Sequence, residues 1–375
     1  MTTLTAPWLN GPARAVCEML EAAGHQAWFV GGCVRNALID APVSDLDLST
    51  DAHPEKVMAL AKSAGLKAIP TGIDHGTVTI VSGGAPIEVT TFRRDVATDG
   101  RRAVVAFAST MEEDALRRDF TMNALYCDIR GHVADPLNGL PDLLARHVRF
   151  IENPATRIKE DYLRILRFFR FYAWYGDTDA GIDAEGLAAC AMYADGIDGL
   201  SSERITSEMI KLLGAPDPAP AIASMGRSGV LMHIAAGAAP DVISVLVHLE
   251  QSLGLSPNST RRLVALGGER DRWRLSNAMQ KSVDVRSQDM PLLALAYRHG
   301  AAAATDRYLI EQASMTQPVD SARIAAFEDA AAQVFPLKAA DLMPDLQGAA
   351  LGDALKTAEA KWIASGFTLT KADLL

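Results

Sequence analysis

The sequence predicts an α+β protein: a head built on a mixed sheet with helices, followed by an all-α remainder. Three observations carry that reading. Residues 29 to 50 run as a strand, a Gly31-Gly32 turn, a short helix from Cys33 to Ile39 and a second strand. Residues 75 to 92 are rich in β-branched residues on either side of Gly83-Gly84, the pattern of a hairpin. From Pro154 onward helical periods dominate.

Taken in order, residues 11 to 24 have helical periodicity and stop at Gly24, a suitable C-cap. Pro54 starts a second helix that ends at Gly65. Residues 66 to 70, 75 to 81 and 86 to 92 read as strands. Residues 93 to 110, with Arg93, Arg94, Arg101 and Arg102, read as a mobile basic loop, either solvated or touching substrate. Glu112 to Tyr126 gives a helix signal, and Asp135-Pro136-Leu137-Asn138-Gly139 closes the head with a turn. Helices are then expected at 155–175, 184–195, 202–213 and 240–253, with Ala-rich segments to Leu375. The expected domains are an N-terminal helix (1–25), the head (26–150), a helical neck (151–215) and a helical body and tail (216–375).

At 375 residues, 49% hydrophobic and 22% charged, the composition is that of a globular protein with ample core. No apolar run approaches the ~20 residues of a membrane helix. Residues 1 to 7 lack the regions of a signal peptide, so a cytoplasmic location is expected. Cys17, Cys33, Cys127 and Cys190 have no metal-ligand spacing and read as buried thiols. The net charge of −10 argues against a uniformly basic surface but allows a local basic groove for nucleic acid.

Two stretches carry chemistry. In Ser44-Asp45-Leu46-Asp47-Leu48, strand alternation turns Asp45 and Asp47 to one face, where paired carboxylates suit a hard cation such as Mg2+. The preceding Gly31-Gly32 turn lets backbone N–H groups approach an anion, with the helix N-terminus and Arg35 adding positive potential. A phosphate site beside a metal site implies chemistry on a nucleoside triphosphate. Glu88 is acidic within an apolar and Thr-rich strand, which places it at a sheet edge or in a site.

The second stretch is Glu160-Asp161-Tyr162-Leu163-Arg164-Ile165-Leu166-Arg167-Phe168-Phe169-Arg170. Asp161 and Arg164 lie one turn apart and can form an ion pair worth about a few tenths of a kcal/mol. Arginine at every third position drifts roughly 60° per step round a 3.6-residue helix, making a ridge able to follow an extended ligand. A fixed Asp and Arg together present acceptors and donors as a base edge does. Leu163, Leu166 and Phe169 are expected to face the core.

Together Gly31-Gly32-x-x-Arg35, Asp45-x-Asp47, Arg117-Arg118-Asp119-Phe120-Thr121-x-Asn123-Ala124 and Glu160-Asp161-x-x-Arg164-x-x-Arg167 resemble the class II tRNA nucleotidyltransferase and bacterial poly(A) polymerase superfamily, whose heads are related to DNA polymerase beta. The resemblance covers residues 26 to 175; beyond it only the segment from Ser202-Glu203-Arg204-Ile205 to Leu213 looks similar. It implies Asp45 and Asp47 as Mg2+ ligands and Glu88 as the third carboxylate. Gly32 and Arg35 would contact the triphosphate, and Arg118 and Asp119 would hold phosphate and ribose. Asp161 and Arg164 would select CTP and then ATP, with Arg167 and Arg170 supporting the nucleotide. Asn36 departs from the family, which usually has Asp there. No His-Asp phosphohydrolase signature is present, so no appended hydrolase domain is expected.

The implied activity is CCA addition to tRNA 3′ ends, with tRNA, CTP and ATP as partners and no membrane. A poly(A) polymerase, a CC-only or A-only enzyme and a non-catalytic RNA-binding module are the alternatives; the 93–110 segment favours the full CCA enzyme, because the family ties that loop to the switch from C to A. Oligomeric state is left open.

Overall fold

The computed structural model describes the chain except residues 1, 100, 101 and 344, and gives the backbone alone for 95–99 and 102–105. The chain divides into two compact units. Unit 1 comprises Met1–Glu208 and Ser224–Ile234; unit 2 comprises Met209–Ala223 and Ala235–Leu375.

Unit 1 contains the mixed sheet that the sequence predicts. Its strands are β1 (Trp28–Val30), β2 (Asp47–Thr50), β3 (Lys67–Gly72), β4 (Thr77–Ser82) and β5 (Ala85–Thr91). A ribbon of β6 (Arg93–Asp99) and β7 (Arg102–Phe107) stands apart, and β8 (Tyr126–Cys127) and β9 (Val133–Ala134) complete the sheet. The spatial order is β3-β4-β5-β2-β1-β8-β9, and only β2 and β5 pair in parallel. A parallel pair needs a crossover. Helix α3 (Pro54–Ser63) and the β3–β4 hairpin supply it, after α1 (Ala13–Ala22) and α2 (Gly32–Leu38).

The burial pattern explains the strands. In β5, Ile87, Val89 and Thr91 are buried while Pro86 and Glu88 are exposed, the alternation of a sheet with one face in the core. Phe29, Leu48, Val78 and Ile80 are fully buried beside them. Helix α1 adds Ala13, Val16, Cys17 and Leu20, a single stripe at helical spacing. Gly31, which precedes α2, has φ +71°, a conformation that a side chain would strain. All four cysteines are buried free thiols, as expected.

Four expectations give way to tertiary structure. Strand β2 begins at Asp47, so Asp45 lies before it and not in the ladder. The basic segment at 93–110 is largely a two-stranded ribbon and not a loop: Phe92 accepts from the Ala108 N–H, and Arg93 pairs with Phe107. Arg101 lies outside the described residues, as does the side chain of Arg102. The helix expected over 112–126 is only α4 (Met111–Leu116); beyond it Phe120 bridges to Phe150 and the Thr121 N–H donates to the Arg149 carbonyl, so pairing with a distant segment replaces helical bonds.

The fourth is the helix at 155–175, which is broken into α6 (Pro154–Glu160) and α7 (Leu163–Tyr175). Asp161 is extended (φ −155°), and its Oδ1 accepts from the Leu163 N–H, competing with the helical ladder. The Tyr162 ring lies against Gly196, where a Cβ would come within 1.9 Å of it. Helices α5 (Leu140–Leu144), α8 (Ala184–Met192) and α9 (Ser202–Leu213) fill out this region. An aromatic cluster seats α7: Phe150 stacks on Phe168 at 5.2 Å, and Phe120 meets Phe171 at 4.8 Å. Leu166 and Phe169 are buried as expected, whereas Leu163 is only half-buried.

Unit 2 is helical throughout, in keeping with the expected all-α remainder. Leu295, Ala296, Ala304, Tyr308 and Phe327 form a core in which small Ala side chains let helices approach closely. Arg262, 1% exposed, donates to Glu250 and to the carbonyls of Leu213 and Pro216, so its buried charge is paired and hydrogen-bonded. Among the described residues no helix is long and apolar enough to cross a membrane.

Candidate functional site

The parallel pairing of β2 with β5 sets Asp47 directly opposite Glu88. Directly paired residues share a face, and both side chains are exposed. Asp45, two residues earlier, is also exposed and accepts from the Ser44 hydroxyl at 2.8 Å. Desolvation by the surrounding protein holds the Asp47 carboxyl above its usual range, though its side chain still reaches solvent; Glu88 and Asp45 push the same way, while Arg118 opposes them. Crowding of carboxylates is what a bound cation relieves, and an all-oxygen donor set suits a hard divalent ion. Among the described residues no three acidic, His or Cys side chains already converge as a preformed metal cage.

Arg118 links these carboxylates to the Gly-Gly turn. Its Nη1 lies 3.5 Å from where a Gly31 Cβ would stand, and its Nη2 reaches the Ser49 hydroxyl on β2 at 3.5 Å. Asp114, fully buried, orients it through a 2.9 Å bond and also takes Arg117 at 2.7 Å and the Tyr126 hydroxyl at 2.8 Å. Burial alone would raise the Asp114 carboxyl, but the Arg118 and Arg117 guanidiniums outweigh it and hold it far below the carboxylate range.

Beside Arg118 opens a cavity of about 380 Å³. Of the residues singled out from the sequence, Arg118, Asp119, Asp161, Arg164 and Arg167 line it. Asp119 accepts from Arg167 Nε at 2.6 Å and from Asn123 Nδ2 at 3.0 Å. Burial raises the Asp119 carboxyl, yet Arg167 and these bonds bring it down to about 2. Arg93, Arg117, Asn123, Leu163 and Arg204 also line the cavity and were not singled out as site residues. For Arg117 and Asn123 a signal existed, since both lie in a motif that carries the resemblance; Arg204 lies in the further segment that looks similar, and Arg93 in the basic segment read as either solvated or touching substrate.

The pairing expected between Asp161 and Arg164 does not form. Arg164 donates to Glu160 at 2.5 Å and to the carbonyls of Arg157 and Arg117, while Asp161 takes Arg204 at 2.6 Å. The break at Asp161 turns its carboxylate off the α7 repeat. Arg170 does not line the cavity; it pairs with Glu208 at 2.5 Å and lies over the Phe171 ring. Gly32 stands at the start of α2, and Arg35 is turned inward and 6% exposed. Arg35 donates to Tyr175 at 2.7 Å, to Asn36 Oδ1 at 2.8 Å and to Asn123 Oδ1.

Residues 27–149 match the family model described as the Poly A polymerase head domain, and residues 181–241 match the probable RNA- and SrmB-binding site of polymerase A. A CCA-adding enzyme of Anoxybacillus flavithermus (strain DSM 21510 / WK1) is 37% identical over 224 residues, covering 59% of this chain and 55% of the relative. Two segments of the chain, residues 27–149 and 181–241, thus match the poly(A) polymerase family. A CCA-adding enzyme of Streptococcus pyogenes serotype M5 (strain Manfredo) is 38% identical over 218 residues, covering 58% of this chain and 52% of the relative.

The chain thus spans about half the length of the curated relatives it matches. Among solved structures, the crystal structure of the Bacillus stearothermophilus CCA-adding enzyme in complex with CTP matches with a TM-score of 0.72 at 25% identity, over 96% of this chain and 94% of that one. The Thermotoga maritima CCA-adding enzyme complexed with tRNA has the same fold, with a TM-score of 0.70 at 18% identity over 99% and 95%.

Proposed function

We propose that this protein is a member of the class II CCA-adding enzyme and poly(A) polymerase superfamily, a template-independent RNA nucleotidyltransferase that adds CCA to tRNA 3′ ends from CTP and ATP, acting in the cytoplasm. One observation carries the reading: a cavity lined by fixed acceptors and donors (Asp161, Arg164, Asp119 and Arg167) adjoins, through Arg118, the paired carboxylates Asp47 and Glu88. Relatives named CCA-adding enzymes, one of them solved with CTP, support it.

Asp45 and Asp47, with Glu88 beside them, would hold a divalent cation such as Mg2+, which when bound neutralises charge on the triphosphate and makes the RNA 3′ hydroxyl easier to deprotonate. The hydroxyl oxygen bonds to the α-phosphorus as the bond to the β-phosphate oxygen breaks, and pyrophosphate leaves. The hydroxyl proton passes to the Glu88 carboxylate and on to solvent. Arg118, clamped by Asp114, presents a cation to the phosphates beside the Gly31-Gly32 turn. Asp119 and Arg167 brace the ribose side of the nucleotide. Arg164, held by two carbonyls and Glu160, offers donors in one fixed orientation, and Asp161 offers an acceptor, so the protein itself reads the base edge.

The test is protein with Mg2+, a tRNA transcript ending before CCA, and each labelled NTP singly and mixed, read by product length. Two C and then one A, with extension stopping there and abolished by EDTA, establishes the reading. Long A tails on any RNA would make it a poly(A) polymerase. No extension with any mixture would make it a binding module.

A further inference from the structure

We propose that Arg35 is a positioning residue, not a phosphate contact: it sets the nucleotide-selecting helix α7 against the head by bracketing it at Arg167 and Tyr175. The inference rests on the reading of the cavity as a nucleotide site.

A guanidinium buried to 6% exposure is costly unless its donors are used. Those of Arg35 are used inward. Nη1 donates to Asn123 Oδ1, Nη2 to the Tyr175 hydroxyl at 2.7 Å, and Nε and Nη2 to Asn36 Oδ1 at 3.1 and 2.8 Å. The guanidinium also lies over the Tyr175 ring at 4.0 Å and faces the Phe171 ring at 5.1 Å. Every one of these hydrogen-bond partners is neutral.

The countercharge arrives through Asn123. Its Oδ1 faces Arg35 and its Nδ2 donates to Asp119 Oδ1 at 3.0 Å, so one amide joins a cation to an anion in the only orientation that satisfies both. The second oxygen of Asp119 takes Arg167. The path runs from Arg167 on α7 through Asp119, Asn123 and Arg35, then back to Tyr175 on the same helix. Those two α7 residues are eight apart, about 12 Å along the axis. A slide or rotation of α7 on the head breaks both ends, and Arg167 and Asp119 line the cavity. Asn36 stabilises the arrangement, accepting from Arg35 while its Nδ2 holds the Pro42 carbonyl at 2.7 Å.

The experiment measures equilibrium binding of CTP, UTP and tripolyphosphate, with Mg2+, to the full chain and to R35K and Y175F. Lysine keeps the charge but cannot span the fork, and phenylalanine keeps the ring but removes the acceptor. The expected result is that both variants lose about tenfold of the preference for CTP over UTP, with tripolyphosphate affinity held within about twofold. Loss of tripolyphosphate affinity in R35K with the CTP preference intact would overturn the proposal in favour of a direct phosphate contact. Unchanged binding in both variants would overturn it too. Should R35K fail to fold, Y175F decides alone. A wild-type chain that binds neither CTP nor tripolyphosphate overturns the nucleotide reading itself, and this role with it, and is told apart because it is seen before any substitution.

Discussion

Asp161 is paired with Arg204, at 2.6 Å across to α9, and not with Arg164 one turn along its own chain. Both partners are about one-third exposed, so the pair is worth only about 0.2–1 kcal/mol to stability. Its larger effect is to aim the Asp161 carboxylate. The expected outcome for R204A is a near-unchanged melting temperature with about a tenfold loss of CTP-over-UTP discrimination, and for D161A a larger loss. Single-nucleotide extension kinetics beside calorimetry check this. Intact discrimination in R204A would show that Asp161 is aimed by something else.

Asp47 is held in a carboxyl environment that resists its charge. A carboxyl whose folded value is raised costs stability once pH exceeds that value, and costs nothing where it is protonated. D47N is therefore expected to melt higher than the wild type at neutral pH, the gap closing as pH falls through the carboxylate range. Turnover should fall by about a thousandfold or more. Mg2+ should raise the wild-type melting temperature more than that of D47N. A wild-type protein indifferent to Mg2+ in melting and in turnover would refute the cation site.

Asp114 and Asp119 titrate the opposite way. Their folded values lie below the ordinary 3.8, that of Asp119 at about 2. The stability they confer is complete above about pH 4 and is lost as pH falls toward 2 and below. D114N, which leaves Arg117 and Arg118 without their buried anion, is expected to cost about 3–5 kcal/mol at neutral pH. Its stability should also fall less steeply in acid than that of the wild type, as urea titrations at a series of pH values would show.

Gly196 has no room for a side chain, because a Cβ would stand 1.9 Å from the Tyr162 ring. G196A is expected to destabilise the chain by about 1–3 kcal/mol through overpacking. Since Tyr162 follows Asp161 at the α6–α7 break, the same variant should also weaken base discrimination. Y162A in the G196A background should recover part of the discrimination.

Local chemistry made much of this protein legible. Alternation in Ile87-Glu88-Val89 marks a half-buried strand whatever it pairs with, and Gly31-Gly32 marks a turn because backbone freedom is intrinsic to glycine. Strand and helix patterns mark the α+β fold, and the motifs around Asp45, Arg118 and Asp161 carry the resemblance to the superfamily. Partner choice was not legible, because it is settled between segments far apart in the chain. Strand alternation cannot say that Asp47 faces Glu88 in a parallel register; the crossover through α3, β3 and β4 decides that. Helical spacing put Arg164 within reach of Asp161, but an extended backbone at Asp161 and the approach of α9 gave the carboxylate to Arg204. A basic, motif-borne Arg35 reads as a phosphate contact, and nothing local says that its donors go to Asn123, Asn36 and Tyr175. Sequence by itself determined which groups are present and how each short segment folds; tertiary structure alone decided which charges meet, since electrostatics depends on distance through space and not along the chain.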